Sequence, residues 1–331
     1  MPLSLKRDRL LSLLEAARSK RIAVVGDAML DVYLRGDVER ISPEAPVPVV
    51  RIRERKYALG GAANVVQNVR GLGAACEFVA AVGQDSGGTT LRGMLDAIGV
   101  ESQSMISIER PTTTKTRIVA RGQQVVRVDE EEDEDLGRDG VKKLGVALDR
   151  AIDRADALVL EDYNKGVLVP DIITGAIARA KARGIPVVVD PKYRNFFQYR
   201  GATVFKPNRR ELESALGAEV DLEHPDALPA ALARLGVGHL LLTLGAHGMA
   251  LISSAGDVKR IPTVAREVYD VVGAGDTVTA YLAAILAAGG SAIEASVIAN
   301  YAAGVEVGKS GAATVSAAEV IEAFDEFSSR R

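Results

Sequence analysis

Short, uninterrupted apolar runs alternate with helical patterns along most of the 331-residue chain. The apolar runs occupy residues 22–25, 77–82, 157–160, 185–189, 203–205 and 239–243. The helical patterns occupy residues 1–20, 62–72, 89–98, 136–154, 171–183, 209–216, 276–288, 292–307 and 317–327. Strands that are apolar throughout are buried on both faces, and helices between them favour a mostly parallel sheet. The pattern therefore predicts an α/β fold whose sheet is covered by helices on both sides.

Three other segments alternate between apolar and polar residues, at positions 47–53, 113–120 and 125–128. Such alternation predicts antiparallel strands with one exposed face. Because we find neither a linker nor an internal repeat, we interpret them as a small sheet attached to the main domain. We expect residues 1–331 to form a single domain, in which segments at about 31–56 and 100–129 build the small sheet.

The composition disfavours several classes of protein. The formal net charge of −3 argues against general binding to nucleic acids or membrane surfaces. The single cysteine, Cys76, rules out an internal disulfide, and with only three histidines a zinc site is not expected. Charges interrupt residues 1–20, and the longest apolar helical pattern covers only residues 278–288. We therefore expect a cytoplasmic protein with neither a signal peptide nor a membrane span.

The segment Gly273-Ala274-Gly275-Asp276 joins a β-branched run to a helical pattern. Glycines permit a tight turn and a close approach of the backbone to a ligand. The start of the following helix would offer unpaired N–H groups to an anion. A carboxylate would repel a resident phosphate, but it suits a phosphoryl group in transfer, because Asp276 would take the proton from the attacking hydroxyl. The alternative is an aspartate that caps the helix.

A glycine pair and two acidic residues are further candidates for ligand contacts. Gly60 and Gly61 precede a helical pattern that carries Asn64, and they would let a ligand lie against bare backbone. Asp27 and Asp31 follow the first predicted strand, where carboxylates suit sugar hydroxyls. The alternatives are a plain strand–helix turn and solvated loop residues.

Two segments in the second half of the chain are candidates for nucleotide contacts. Asn208 and Glu211 would arrange metal-bound waters around phosphates, although the same spacing is typical of a helix capping box. Thr243, Gly245 and Gly248 follow a predicted strand, where glycine would let a nucleotide approach the backbone.

Taken together, these motifs resemble those of the ribokinase-like (phosphofructokinase-B type) carbohydrate kinases in type and order. The resemblance covers nearly the whole chain and rests on Gly60-Gly61-Ala62-Ala63-Asn64, Asn208-Arg209-Arg210-Glu211 and Gly273-Ala274-Gly275-Asp276. It implies a three-layer αβα domain with a β-sheet lid, the use of ATP and Mg²⁺, and a monovalent cation as a further expectation. Val272 departs from the family, in which Thr is frequent at this position.

The resemblance also implies a role for individual residues. Asp276 would be the base, and the anion hole would be formed by Gly273, Ala274 and Gly275. Asn208 and Glu211 would hold the phosphates of the nucleotide and, through water, the metal. The nucleotide would also be lined by Thr243, Gly245, Gly248 and Asn300. The sugar would be faced by Asp27, Asp31, Gly60, Gly61, Asn64, Asp162 and Lys192.

The more variable segments resemble kinases of D-glycero-β-D-manno-heptose 7-phosphate within this family. These segments are residues 26–31, 40–49, 123–124, 127–129, 162–166 and 190–192. The closer resemblance implies phosphorylation of the anomeric 1-hydroxyl to give the 1,7-bisphosphate, in the supply of nucleotide heptose for lipopolysaccharide. Many such kinases are fused to an adenylyltransferase domain, and this chain lacks its histidine motifs, so we expect a separate adenylyltransferase. We also expect a homodimer that pairs through the lids.

Basic residues near the small sheet suit a substrate that already carries a phosphate. They are Arg51, Arg53, Arg55, Lys56, Lys115 and Arg117, and the first three share one face of a strand. The alternative is that these charges protect an exposed sheet edge from pairing.

Other functions are kept as alternatives. A kinase of ribose or fructose 6-phosphate would carry the same motifs. An NAD-dependent oxidoreductase is disfavoured, because Val278 replaces the third small residue of a dinucleotide fingerprint and Asp276 would oppose a pyrophosphate. A sugar sensor without catalysis would be free to lose Asp276 and the anion hole. Residues 304–310 resemble a phosphate-binding loop, but they have one residue too few and end a helical pattern.

Overall fold

The computed structural model describes residues 5–224, 228–265, 268–309, 311 and 313–329. The helices in these ranges are α1 (Arg7–Arg18), α2 (Ala62–Leu72), α3 (Ser86–Ala97), α4 (Arg138–Arg154), α5 (Pro170–Ala182), α6 (Arg209–Leu216), α7 (Leu228–Leu235), α8 (Ala274–Ala287), α9 (Ala292–Glu306) and α10 (Ala317–Ser328). The strands are β1 (Arg21–Gly26), β2 (Ala28–Ile41), β3 (Pro48–Gly61), β4 (Ala75–Val79), β5 (Ala81–Gly83), β6 (Ile106–Ile108), β7 (Thr114–Ala120), β8 (Gln123–Glu130), β9 (Ala157–Glu161), β10 (Val187–Asp190), β11 (Val204–Phe205), β12 (His239–Thr243), β13 (Met249–Ser253) and β14 (Val258–Ile261).

The main sheet has eight strands among the described residues, in the order β14-β13-β12-β11-β10-β9-β1-β4. Neighbouring strands from β4 to β12 are parallel, whereas β12, β13 and β14 are antiparallel at one edge. All residues of β9 are buried, as expected for a strand covered on both faces. The predicted α/β class and the mostly parallel sheet are confirmed.

Helices cover both faces of this sheet. Ile22 and Val24 of β1 pack into a hydrophobic cluster with residues of α1, α2, α3, α8, α9 and α10. Ala23 and Val25 face the other way, into a second cluster with residues of α4, α5, α6 and α7. Since successive side chains of a strand point to opposite faces, one strand supplies both clusters, and the fold has three layers.

A second sheet, in the order β3-β2-β7-β8, extends from the same framework. Strand β2 begins directly after β1, and β2 and β3 form a long antiparallel hairpin in which Ala28 pairs with Gly61. Strand β7 joins β2 in parallel, and β8 pairs antiparallel with β7. The three alternating segments of the sequence lie largely in β3, β7 and β8, although the parallel pairing of β7 departs from the antiparallel prediction.

Several elements differ from the prediction. The predicted strand at residues 77–82 is interrupted at Ala80, and its second part, β5, pairs with β6 in a separate small sheet. Strand β13, the edge strand β14 and the helix α7 were not predicted. Among the described residues, no helix is long and apolar enough to cross a membrane.

Candidate active site

Helix α8 begins at the carboxyl ends of two parallel strands. Gly273 precedes its first turn with φ 97°, a left-handed conformation that favours glycine. Asp276 lies in that first turn and is buried. One of its carboxylate oxygens lies within 4.8 Å of oxygens of Glu161 and Asp190, which are the last residues of β9 and β10. Ligands of open α/β sheets bind at such strand ends, so this is a candidate active site.

Both oxygens of the Asp276 carboxylate accept a hydrogen bond. Asn64 Nδ2 donates to Oδ2 at 2.7 Å, and the Tyr163 hydroxyl donates to Oδ1 at 2.8 Å. Burial raises the pKa of Asp276 to about 6, while the two donors and the nearby Lys206 ammonium act in the opposite direction. The carboxylate is therefore ionised near neutral pH, yet it can accept a proton.

Asp276 adjoins a buried group of charges. Lys206 is buried, and its Nζ lies 2.8 Å from Asp190 Oδ2. Glu161 is also buried, and neither of its oxygens receives a donor from the described part of the chain. Burial, followed by the charges of Asp190 and Asp276, raises the pKa of Glu161 well above its usual range. The direction of this shift favours the neutral form of Glu161, and the nearby Lys206 ammonium acts in the opposite direction.

Two cavities adjoin at this helix start. The first, of about 370 Å³, is lined by Met29, Asp31, Gly60, Gly61, Asn64, Lys115, Arg117, Arg127, Tyr163, Asp190, Lys192, Lys206, Asn208, Glu211, Thr243, Val272, Gly273, Gly275 and Asp276. The second, of about 360 Å³, is lined by Asn208, Thr243, Gly245, Ala246, Gly248, Met249, Thr263, Ala265, Val268, Val271, Ala274, Gly275, Val278, Asn300, Ala303, Gly304 and Val307. Asn208, Thr243 and Gly275 belong to both linings, so two ligands could meet there.

Most residues singled out in the sequence lie in one of these cavities. The first cavity contains Asp31, Gly60, Gly61, Asn64, Lys115, Arg117, Lys192, Asn208, Glu211, Thr243, Gly273, Gly275 and Asp276. The second adds Gly245, Gly248, Ala274 and Asn300. Residues far apart in sequence thus converge because the strand ends and the second sheet lie around the start of α8.

Asp27 is a buried residue that lines neither cavity. Its carboxylate accepts hydrogen bonds from the backbone N–H groups of Tyr163 at 2.8 Å, Lys165 at 3.0 Å and Val167 at 3.2 Å. The structure therefore does not support the expectation that Asp27 faces a sugar. The N–H donors of the loop after β9 occupy its oxygens, so Asp27 fixes that loop.

Asp162 is likewise buried away from both cavities. It accepts hydrogen bonds from the Asn164 backbone N–H at 2.7 Å and from the Tyr199 hydroxyl at 2.6 Å. Burial raises the pKa of Asp162 to about 6. The side chain of Asp162 therefore stabilises the same loop through Asn164 and Tyr199. The expectation that Asp162 contacts the sugar is not supported.

Asn208 and Glu211 form the capping box that their spacing predicts as the alternative to a ligand site. Asn208 Oδ1 accepts from the Glu211 backbone N–H at 2.9 Å, and Glu211 Oε2 accepts from the Asn208 N–H at 2.8 Å. The same side chains nevertheless line the first cavity, where Glu211 Oε1 also pairs with Lys192. Capping and ligand contact are therefore compatible at these positions.

Cations of the second sheet line the first cavity. Arg117 Nη1 lies 2.6 Å from Asp31 Oδ1. Lys115 Nζ lies 3.3 Å from Asp129 and 3.0 Å from Glu131. These ion pairs with carboxylates of the same chain orient Lys115 and Arg117 at the cavity wall, so that they could bind an anionic ligand without rearrangement.

The basic residues of β3 lie elsewhere. Arg51 pairs with Glu39 at 3.5 Å and Arg53 pairs with Asp37 at 3.1 Å, all with exposed side chains. Neither these arginines nor Arg55 lines the two cavities. The expectation that this face meets a substrate phosphate is not supported, whereas the alternative of edge protection fits.

Four polar or charged residues that line the first cavity were not singled out as individual contacts in the sequence. Tyr163 and Asp190 stand inside segments noted only for their resemblance, and Lys206 lies two residues before Asn208. Arg127 lies on β8, where it pairs with Arg117, and Asp129 pairs with Lys115. Since alternate residues of a strand share a face, the spacing of Arg127 and Asp129 places Arg127 on the face of Lys115 and Arg117.

Comparisons with known proteins agree with this geometry. The family model described as pfkB family carbohydrate kinase matches residues 19–319. The chain is 46% identical over 306 residues to the bifunctional protein HldE of Rhodospirillum rubrum, covering 92% of this chain and 62% of that protein. It is 45% identical over 317 residues to HldE of Caulobacter vibrioides, covering 95% and 65%. The chain thus spans less than two thirds of the length of these relatives.

Solved structures share the fold. A ribokinase from Arabidopsis thaliana, complexed with ribose and ATP, superposes with a TM-score of 0.72 at 22% identity, covering 92% of this chain and 98% of that one. Phosphofructokinase-2 from Escherichia coli, in complex with potassium, gives a TM-score of 0.74 at 18% identity, covering 93% and 99%. The family match, the curated relatives and the shared architecture lead to one conclusion: this chain belongs to the pfkB family of carbohydrate kinases.

Proposed function

We propose that this carbohydrate kinase transfers the γ-phosphoryl group of ATP to a sugar held in the first cavity, with Asp276 as the general base. The observation that carries the proposal is the place of Asp276, at the start of α8 and next to the junction of the two cavities. The sugar would occupy the first cavity, and the nucleotide would occupy the second.

The residues account for each part of the reaction. The sugar hydroxyl oxygen bonds to the γ-phosphorus, its proton goes to Asp276, and the bond from that phosphorus to the bridging oxygen of ADP breaks. Backbone N–H groups of Gly273, Ala274 and Gly275 would stabilise the charge on the transferred group. Asp276 suits the task because its pKa of about 6 leaves it ionised at neutral pH.

Asn208 and Glu211 fit a magnesium ion that is held mainly through water. Their amide and carboxylate oxygens are hard donors that line the first cavity, and Asn208 also lines the second. Since the capping box already uses both side chains, indirect contact through water suits them better than direct ligation. When bound, the ion would neutralise phosphate charge. A monovalent cation near Val272 stays an expectation of the family resemblance.

For the sugar, we propose D-glycero-β-D-manno-heptose 7-phosphate, phosphorylated at the anomeric hydroxyl, in the supply of nucleotide heptose for lipopolysaccharide. The sequence segments that resemble heptose kinases support this choice. A second support is the cationic wall of the first cavity, formed by Lys115, Arg117 and Arg127. These groups suit a sugar whose far end carries a phosphate.

We also propose that the whole chain acts as one kinase domain, with the second sheet as its lid, and that two copies pair through the lids. The face of the second sheet opposite the first cavity leaves Tyr57 38%, Val126 45% and Val128 48% exposed. A second copy would cover this apolar surface. Light scattering should give a dimer mass for the wild type and a lower mass for Val128→Glu; a monomeric wild type would exclude the dimer.

A phosphorylation screen tests the substrate. ATP and Mg²⁺ would be supplied with heptose 7-phosphate, the unphosphorylated heptose, ribose, fructose 6-phosphate or adenosine. We expect the highest kcat/KM with heptose 7-phosphate. A preference for ribose or fructose 6-phosphate would assign the chain to another sugar kinase, and equal use of both heptoses would exclude a phosphate anchor.

A further inference from the structure

The loop after β9 reaches the buried base directly. Tyr163, two residues beyond the end of β9, donates its hydroxyl hydrogen to Asp276 Oδ1 at 2.8 Å. Asn64 donates to the other oxygen at 2.7 Å from α2. The carboxylate is thus held at both oxygens, by groups from two different elements, and its orientation cannot change without breaking one of these bonds.

The phenol of Tyr163 is itself fixed on several sides. Its backbone N–H donates to Asp27 Oδ2 at 2.8 Å, and the next residue, Asn164, adopts φ 55° in a tightly turned loop. On the cavity side, Lys192 Nζ lies 5.5 Å from the ring centroid, in the range of a cation–π contact. Burial keeps the pKa of Tyr163 well above its usual range, so the phenol remains a donor.

We propose that Tyr163 is a positioning residue for the base: its hydroxyl orients the Asp276 carboxylate toward the acceptor hydroxyl and stabilises its ionised form. This inference rests on the proposed role of Asp276. It also gives buried Asp27 a function, because Asp27 fixes the loop that carries Tyr163. The effect of Asp27 on the reaction would be indirect, through the loop.

The sign of the effect follows from the hydrogen bond. A donor to a carboxylate favours the ionised form, so loss of the Tyr163 hydroxyl raises the pKa of Asp276. Charged and titratable groups from the other elements around Asp276 stay in place in such a variant; they are Glu161, Asp190, Lys206 and Glu306. A shift between variant and wild type therefore reports the missing hydroxyl.

The test is the pH profile of kcat/KM for Tyr163→Phe. We expect the acid limb to move to higher pH by about one unit or more, the size expected for one hydrogen bond to a charged group. The ratio of variant to wild-type kcat/KM should therefore be about tenfold lower below the limb than on the neutral plateau. An unmoved limb, or an equal loss at every pH, would overturn the proposal.

Tyr281→Phe is the matched control. Tyr281 is a buried tyrosine on α8, the helix of Asp276, and its hydroxyl donates to the Val315 carbonyl at 2.9 Å. Its loss should lower stability and leave the acid limb in place. A limb that moved equally in Tyr281→Phe would mean that general loosening of α8, rather than the Tyr163 bond, causes the shift.

If the Tyr163→Phe protein does not fold, a second variant tests the same hydrogen bond. Replacement of Tyr163 by 3-fluorotyrosine keeps the ring and makes the phenol a stronger donor, so the acid limb should move to lower pH. An unchanged limb, or a rise, would overturn the proposal. Asp276→Asn distinguishes the two hypotheses. Near-normal turnover in that variant would contradict the proposal that Asp276 is the base. If Asp276→Asn is inactive but the acid limb does not move in the Tyr163 variants, only the positioning role of Tyr163 is contradicted.

Discussion

Asp276, which we propose as the general base, is a buried carboxylate subject to two opposing effects on its pKa. Burial favours its neutral form, and Asn64, Tyr163 and Lys206 favour its charged form. The balance places its pKa at about 6, which lies in the range that suits the general base we propose. Its place beside Gly273 and Gly275 could be predicted from the sequence, since the motif is local. Tyr163 could not, because its contact with Asp276 spans 113 residues.

Asp276→Asn tests the base at the residue scale. The amide keeps the size of the side chain but cannot take a proton from the acceptor hydroxyl. We expect kcat to fall by at least ~10²-fold, the low end for general-base catalysis, with the fold and nucleotide binding retained. Steady-state kinetics, calorimetry with ATP and circular dichroism measure these three properties. A folded variant with near-normal kcat would show that the proton goes elsewhere.

At the scale of elements, prediction was most accurate where the chain marks both ends of a helix. Helices α2 and α6 have the predicted bounds; α2 lies between Gly61 and Gly73, and α6 lies between Asn208 and Gly217. Strands β13 and β14 were missed because they are short and form an antiparallel hairpin at the edge of a parallel sheet. Their local sequence carries no sign of that placement.

Gly275→Val tests the start of α8. A Cβ at Gly275 would lie 3.6 Å from Lys206 Nζ and 3.9 Å from Asp190 Oδ2, which are ordinary contact distances, so the fold should tolerate a side chain. The added atoms would instead occupy the wall shared by the two cavities. We expect phosphoryl transfer to be lost while sugar binding, measured by calorimetry, persists. Gly275→Ala should show a smaller loss, and wild-type kinetics for Gly275→Val would exclude the anion hole.

Single alanine substitutions on the second sheet test the phosphate anchor. Arg117→Ala and Lys115→Ala remove cations from the wall of the first cavity. Each should raise KM for the phosphorylated sugar by about tenfold or more, because a charge-assisted hydrogen bond contributes roughly 1.5–3 kcal/mol and 1.4 kcal/mol corresponds to a factor of ten. KM for the unphosphorylated sugar should change less.

Arg51→Ala and Arg53→Ala are the controls for these variants. Both arginines carry the same charge on the same sheet but pair with exposed carboxylates outside the cavities. They should leave KM for both sugars unchanged. If they behaved like the Arg117 variant, the charge of the whole sheet, rather than the cavity wall, would attract the phosphate.

At the scale of the whole molecule, the fold keeps a carboxyl group inside its core. Glu306 is buried at the end of α9, and burial, with the nearby Asp270 and Asp276, raises its pKa to about 8. The unfolded chain would lose this proton near the ordinary value of 4.5. Between these values folding takes up a proton, so the contribution of Glu306 to stability decreases as the pH rises through this window and is smallest above about pH 8.

Glu306→Gln should therefore change the pH dependence of stability. The difference in free energy of unfolding between variant and wild type should move in favour of the variant from pH 5 to pH 8.5. The change should be at least about 1.4 kcal/mol, the value of one pKa unit. Urea titrations at the two pH values measure the free energy of unfolding of each protein. If the difference between variant and wild type is the same at both pH values, Glu306 is not protonated in the folded state.

Glu294→Gln provides a control of opposite sign on the same helix. Its hydrogen bond with Arg9 holds the pKa of Glu294 at about 2. The stability that it contributes is present above the ordinary value of 4.5 and is lost as the pH falls through about 2. This substitution should therefore reduce stability at both pH 5 and pH 8.5, with little difference between them.

The two adjoining cavities are lined largely by different halves of the sequence. Most residues of the first cavity lie between Met29 and Lys192, although Lys206, Glu211 and the start of α8 also contribute, whereas the second cavity draws only on residues from Asn208 to Val307. An ancestral gene could therefore diverge toward a new sugar through mutations in its first two hundred codons, while the second cavity, in which we propose that the nucleotide binds, stayed constant. Exchanging the first part of the gene between two such kinases should transfer the choice of sugar without changing the phosphate donor.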